Sequence, residues 1–304
     1  MAQRGLAQAK KNYQLYLLLL VPVVWLIIFR YIPMYGVIIA FKNFNARLGI
    51  LGSPWVGLRY FERFINSFYF ERTVRNTIGI SLYQLAAGFP VPILLALAMN
   101  SSMRRKFTKT VQFIVYMPHF ISTVVLVGIV IEFLHPRVGI VNTLLQTVGF
   151  EARDYMGSPE HFKSIFVWSG VWQRAGWGTI IYLAALSSVD PELHEAATID
   201  GASRLQRVWH IDVPGILPTA TILLILNLGR VMQVGFEKVF LMQNQLNLES
   251  SEIIATYIYK VGLASSTPSF SYGAAIGLFL SVINLVLIVS VNAVAKRMGQ
   301  TSLW

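Results

Sequence analysis

The 304 residues are 55% hydrophobic and only 13% charged, with a mean hydropathy of +0.58, whereas soluble domains carry about a quarter charged residues, so the composition is that of an integral membrane protein. The chain has no cysteine, which excludes thiol catalysis, cysteine-ligated metals and disulfide-stapled loops. The net charge of +11 sits on no soluble basic domain; it is read as lysine and arginine flanking membrane spans, and nucleic-acid binding is set aside.

A bilayer core takes about 20 apolar residues as helix. Six runs qualify, at 15–41, 73–99, 110–134, 165–187, 216–242 and 272–295. They are continuous rather than alternating, which excludes a β-barrel and predicts an all-α chain of six transmembrane helices. The tail 1–14 has a basic flank, but the apolar run behind it is too long for a cleaved signal peptide and reads as an anchor. An even number of spans puts both termini on one side. Arg4, Lys10, Lys11, Arg104, Arg105, Lys106, Lys109, Lys296 and Arg297 lie in the two tails and the short 100–109 loop, with no acid among them. By the positive-inside rule these segments are cytoplasmic. The loops 42–72, 135–164 and 243–271 are then external, their basic residues balanced by Glu62, Glu71, Glu151, Asp154, Glu160, Glu249 and Glu252. Spans two to six are expected to pack as one bundle, with the first around its edge, in a single domain 1–304.

Between the fourth and fifth spans, 188–215 breaks the apolar pattern. Asp190 is placed to cap a helix with Pro191 at its first position and Glu192 behind. That helix should end near Ile199, where Gly201 takes a left-handed conformation. A second short helix is expected over 202–211, after which Pro214 and Pro218 turn the chain into the next span. Ala196, Ala197, Gly201 and Ala202 are small enough for another backbone to approach closely. A docking element and an ordinary loop resting on the headgroups both fit these residues.

Glu195-Ala196-Ala197, Asp200-Gly201-Ala202, Trp209, Ile211 and Pro214 resemble the "EAA" signature of ATP-binding-cassette importer permeases. YIPMYGVIIAFKNFN (31–45), GSPWVGLRYFERF (52–64), RNTIGISLYQL (75–85), YMPHFIS (116–122), GWGTIIYLAAL (176–186), VGFEKVFLMQN (234–244) and FSYGAAIGLF (270–279) extend the similarity to the lipo-oligosaccharide, rhamnogalacturonide and alginate-oligosaccharide branch of carbohydrate permeases. The resemblance implies a type I importer bundle in a bacterial inner membrane, with 188–215 as the cytoplasmic coupling loop. It also implies a second, homologous permease as heterodimer partner, two ATPase subunits and an extracytoplasmic solute-binding protein that delivers an oligosaccharide. This chain would bind no cofactor and catalyse nothing; ATP and magnesium belong to the partner ATPases. Carried over residue by residue, Glu195 pairs with basic groups of the ATPase, Ala196, Ala197 and Ala202 form the close-approach face, Asp200 and Gly201 the turn, and Trp209 fills an apolar pocket.

No catalytic constellation or phosphate-binding G-x-x-x-x-G-K-[ST] loop is present. His119, His135, His161, His194 and His210 are dispersed without metal-ligand spacing, and His194 and His210 are read as solvated surface. Intramembrane charge is more telling, because an arginine at a helix centre costs about 2.5–3.5 kcal/mol on insertion scales. Arg30 can snorkel to the headgroups, but Arg174 and Arg230 fall at mid-membrane to outer depth. Trp172, Gln173 and Trp177 surround Arg174 in sequence, and Asn227, Arg230 and Gln233 recur at three-residue spacing along one helix side. Aromatic faces, amides and guanidinium forks suit a sugar carrying carboxylates, so these seven residues are expected to line a path favouring an anionic, uronate-containing oligosaccharide. Pairing of the arginines with Glu132, Glu237 or a partner's acid is the competing account. Glu237 and Lys238 are read as a mutually satisfied pair, and Pro33, Pro90, Pro92 and Pro118 as helix kinks or ends. A secondary transporter is the alternative function, but inverted repeats and ionisable coupling residues are missing.

Overall fold

With no charge before Arg30, the first apolar run has one way to satisfy its backbone in an apolar medium, which is to coil. It does so over Tyr13–Phe41 (α1) in the structure, a computed structural model that describes residues 12–102 and 105–297. Arg4, Lys10, Lys11 and Arg104, used above for the orientation, lie outside the described residues. The other principal helices are Arg59–Ile65 (α2), Phe68–Asn100 (α3), Arg105–Tyr116 (α4), Thr123–Phe133 (α5), Pro159–Ser187 (α6), Pro191–Ile199 (α7), Arg204–Leu228 (α8), Phe236–Met242 (α9) and Phe270–Arg297 (α10). Among the described residues there is no β-strand, only an isolated bridge between Lys42 and Trp55.

Four helices, α1, α3, α8 and α10, are long and apolar enough to cross a membrane. The expected span 110–134 is not one straight helix. Regular bonding stops at the 3₁₀ turn Met117–Phe120, where Pro118 offers no donor, and Ser122 caps α5 by accepting from Val125 N at 3.3 Å. The two arms meet at 99°, and only together do they reach membrane length. Helix α6 has 29 residues, ample for a span, but Lys163, Gln173 and Arg174 make it less apolar. It packs against α3, α4 and α8, so much of its surface never needs to face lipid.

The expected fifth span, 216–242, is also broken. Helix α8 ends at Leu228, and Arg230, Val231 and Gln233 donate to carbonyls three residues back instead of four. Gly235, at φ +89°, then starts α9 from a left-handed conformation that a side chain disfavours. Pro90 and Pro92 interrupt the regular bonding of α3 at Phe89, which nevertheless keeps helical dihedrals, so the helix continues from Phe68 to Asn100.

The internal contacts group the chain into two units. In the first, the described part of Met1–Asn66 is clasped to Ile258–Phe279. Ser271 donates to the Lys42 carbonyl at 2.6 Å and accepts from Phe44 N at 2.9 Å. Arg63 lies 4.6 Å over the Tyr272 ring, and Phe64 meets Phe279 edge-on. No described residue of α1 before Ala40 is buried, as suits a helix apolar on every side with lipid around it. The second unit comprises Ser67–Tyr257 and the chain from Leu280. Its core is the α6 stripe Phe162, Phe166, Val167, Val171 and Ala175, packed with Ile80 and Ala87 of α3, Val239 and Met242 of α9, and Ile253. The buried Glu252 pairs with Arg72, while Asn76 donates to the carbonyls of Glu249 (2.8 Å) and Glu252 (3.1 Å).

Candidate functional site

Two features of the second unit draw on the residues singled out in the sequence. The first is the polar hairpin 188–215. Asp190 caps α7 by accepting from Glu192 N at 3.0 Å, with Pro191 at the first position. The helix closes in a Schellman arrangement: Gly201, at φ +81°, donates to Thr198 O (3.1 Å) and Ala202 to Ala197 O (2.9 Å). Ser203 and Gln206 then form a capping box. The chain does not turn at Pro214 and Pro218, as expected; α8 runs unbroken from Arg204 to Leu228. A π-turn at Val208–Asp212 supplies the slack that absorbs the missing Pro214 donor.

That π-turn buries Asp212, whose carboxylate accepts from Asn100 at the end of α3 (3.2 Å) and lies 3.2 Å from His194 Nε2 on α7. His194 is therefore not the solvated surface residue expected; it ties α7 to the root of α8. Arg207 donates to Thr198 across the same hairpin at 2.8 Å. Outward face the exposed Glu195, Ala196, Asp200 and Gly201, with Ala197 and Ala202 half-buried. Ile199, Leu205 and Trp209 are 86%, 77% and 67% exposed, an apolar patch of the kind that marks an interaction surface.

The second feature is a cavity of about 430 Å³ among α3, α6 and α8, within the range of small-molecule sites. Arg174 on α6 meets Asn227, Arg230 and Gln233 here, four of the seven expected path residues. The last three do not share a helix side: Arg230 and Gln233 follow the end of α8, and the turn, not helical periodicity, brings them to the cavity that Arg174 lines. Trp172, Gln173 and Trp177 do not line it. Gln173 is buried and donates to Ile121 O at 2.8 Å, Trp177 stacks on His119 at 4.4 Å, and the exposed Trp172 sits on the far side of α6. The helix turns about 100° per residue, which carries Trp172 and Gln173 away from Arg174, while Trp177, one turn on, is taken up by His119 and Phe120.

Ser81, Gln84 and Tyr182 also line the cavity and escaped the sequence reading. Ser81 and Gln84, polar residues three apart in an apolar span, were the available signal. No carboxylate is among the described lining residues, and neither Arg174 nor Arg230 has an ion-pair partner among the described residues. Glu237 and Lys238 are not a pair either. Lys238 is buried, donates to Phe166 O at 2.7 Å and lies 4.7 Å from the Phe166 ring centre, while Glu237 is exposed.

Several membrane-length apolar helices and a cavity whose largely apolar wall carries two arginines and three amides define a polytopic membrane protein with a place for a polar solute. Residues 88–300 match the family of binding-protein-dependent transport system inner membrane components, and the chain belongs to that family. It is 41% identical over 302 residues to the polygalacturonan/rhamnogalacturonan transport system permease protein YteP of Bacillus subtilis (strain 168), covering 99% of this chain and 94% of that one. Protein LplB of the same organism is 39% identical over 299 residues, covering 98% and 93%. Among solved structures, a bacterial ABC transporter involved in import of the acidic polysaccharide alginate matches with a TM-score of 0.89 and 38% identity, over 97% of this chain and 99% of that one. A complex of the bacterial alginate ABC transporter with an alginate pentasaccharide-bound periplasmic protein matches with the same TM-score at 37% identity, over 98% and 99%. The secondary-transporter alternative is not favoured by this membership.

Proposed function

We propose that this chain is one permease of an ATP-driven importer of anionic oligosaccharides, with Arg174, Asn227, Arg230 and Gln233 on its translocation path. The observation that carries the anionic reading is the cavity itself, which two guanidinium groups and three amides line with no carboxylate among the described lining residues. Guanidinium forks hold carboxylates bidentately, and the relatives named for polygalacturonan/rhamnogalacturonan and alginate transport support the same chemistry. Trp172, Gln173 and Trp177 are dropped from the cavity lining, since α6 turns the first two away and Trp177 stacks on His119.

The remaining parts of the reading follow the family resemblance. The hairpin 188–215 is the cytoplasmic coupling element: Glu195 addresses basic groups of an ATPase subunit, and Trp209 with Ile199 seats in its apolar cleft. Six spans, the fourth being α6, leave both termini in the cytoplasm of the inner membrane. A homologous permease, two ATPase subunits that bind ATP and magnesium, and an extracytoplasmic solute-binding protein complete the importer.

The test is uptake by the assembled importer in proteoliposomes. Arg230→Gln removes a charged hydrogen bond worth about 1.5–3 kcal/mol, so uptake of oligogalacturonide should fall about ten- to hundredfold while assembly is spared. Unchanged uptake would end the anionic-path proposal.

A further inference from the structure

Arg230 and Gln233 reach the cavity on an irregular stretch, and irregular backbone has no helical ladder to hold its place. Between Leu228 and Phe236 the backbone bonds run three residues back, and Gly235 takes φ +89°. One end of this turn is fixed by close packing: a Cβ on Gly229 would stand 2.8 Å from Ile288 of α10. The other end leads directly into α9, whose seven residues are about half the length at which a helix holds by itself. The turn is therefore only as well placed as α9 is docked.

Val239 and Met242 dock α9 in the core, but apolar contact is non-directional. Lys238 adds a directed bond. It is 5% exposed and donates to Phe166 O at 2.7 Å, with Nζ 4.7 Å from the Phe166 ring centre. The ammonium has room because Gly170 carries no side chain; a Cβ there would stand 3.1 Å from Nζ. The Ser169 hydroxyl shares the same carbonyl at 3.2 Å. Taking an ammonium out of water is costly, and an apolar side chain of equal size is often easier to bury. What a buried ion best supplies is register. Here the register is that of α9 on α6, and Gly170 also lines the cavity, one turn from Arg174. One bond thus sets the segment that carries Arg230 and Gln233 against the helix that carries Arg174.

We infer that Lys238 is a positioning residue of the transport path. Its ammonium, seated on Phe166 O beside Gly170, pins α9 to α6 and so fixes the turn that presents Arg230 and Gln233. It touches no solute itself. The inference rests on the reading of the cavity as part of the translocation path.

The experiment uses the assembled importer in proteoliposomes with oligogalacturonide as probe. Lys238→Met keeps the apolar stem and removes the bond, and uptake per assembled complex should fall about tenfold, the lower end for a charged hydrogen bond. Because the lysine acts through the turn, combining Lys238→Met with Arg230→Gln should cost less than the product of the single losses. The shortfall should exceed the scatter of about twofold seen for independent sites. The chain has no cysteine, so a nitroxide on Val231→Cys reports the turn and one on Leu217→Cys, exposed on α8, reports the helix body. With Lys238→Met the label at 231 should gain mobility and the label at 217 should not; a general loosening of the fold would free both. Lys238→Gln, whose amide stops short of the carbonyl, gives the same comparisons if Lys238→Met does not assemble. Undiminished uptake, losses that multiply, an unchanged label at 231 or equal gains at both labels would overturn the positioning role while leaving the path reading standing. No loss from Arg230→Gln alone would overturn the path reading, and the positioning role with it.

Discussion

At Gly201 the whole hairpin depends on one dihedral angle. The residue sits at φ +81°, and for any L-residue a left-handed backbone costs about 1–2 kcal/mol. No heavy atom stands within 4 Å of where its Cβ would be, so the penalty of a substitution is conformational and not steric. Gly201→Ala should therefore leave the chain in the membrane but loosen the α7 end, and co-purification with the ATPase subunits should fall by several-fold; undiminished co-purification would detach that turn from docking. Lys238 makes a contrasting point. Its neighbour Glu237 invites pairing, yet consecutive residues on a helix diverge by about 100°. Burial against Phe166 therefore hands the lysine a carbonyl and a ring face instead.

Among the elements, α8 is the one that joins the two functional features. It starts at the capping box beside the hairpin, passes through the π-turn that buries Asp212, and ends at the turn that presents Arg230. Asp212 binds α7 through His194 and α3 through Asn100, so displacement of the hairpin is carried to two helices that wall the cavity. Asp212→Ala leaves two donors without their acceptor and loosens α7 from α8, with the Arg207–Thr198 bond still across the hairpin. The expected result in the assembled importer is ATP hydrolysis that persists while uptake drops about tenfold, the signature of slipped coupling through a two-position interface. A parallel fall in both activities would instead mean that Asp212 only stabilises the fold.

For the whole molecule, the predictions concern the source of energy. A permease without a phosphate-binding loop depends on separate motors, so uptake should continue with an uncoupler present and stop when ATP is withheld. The reverse pattern would restore the secondary transporter. The exposure of α1 and the separate clasp of 42–66 with Ile258–Phe279 belong to this scale as well, because an apolar helix with no buried residue before Ala40 requires lipid or another subunit for its surface.

What the amino-acid order determined unaided was whatever depends on neighbours along the chain. Apolar runs of membrane length dictated helices at α1, α3, α8 and α10, and Asp190, Pro191 and Gly201 dictated the α7 boundaries, since caps and positive φ are local chemistry. The EAA-like spacing and the long motif matches likewise led to the family. What only the tertiary structure decided was the 99° bend after Pro118, the break after Leu228 that brings Arg230 to the same cavity as Arg174, and the π-turn that lets α8 run through Pro214. It also paired His194 with Asp212 and gave Lys238 the Phe166 carbonyl in place of Glu237. The side-chain pairings among these turn on which helix lies against which, and a contact between residues on different helices leaves no trace in the spacing of either.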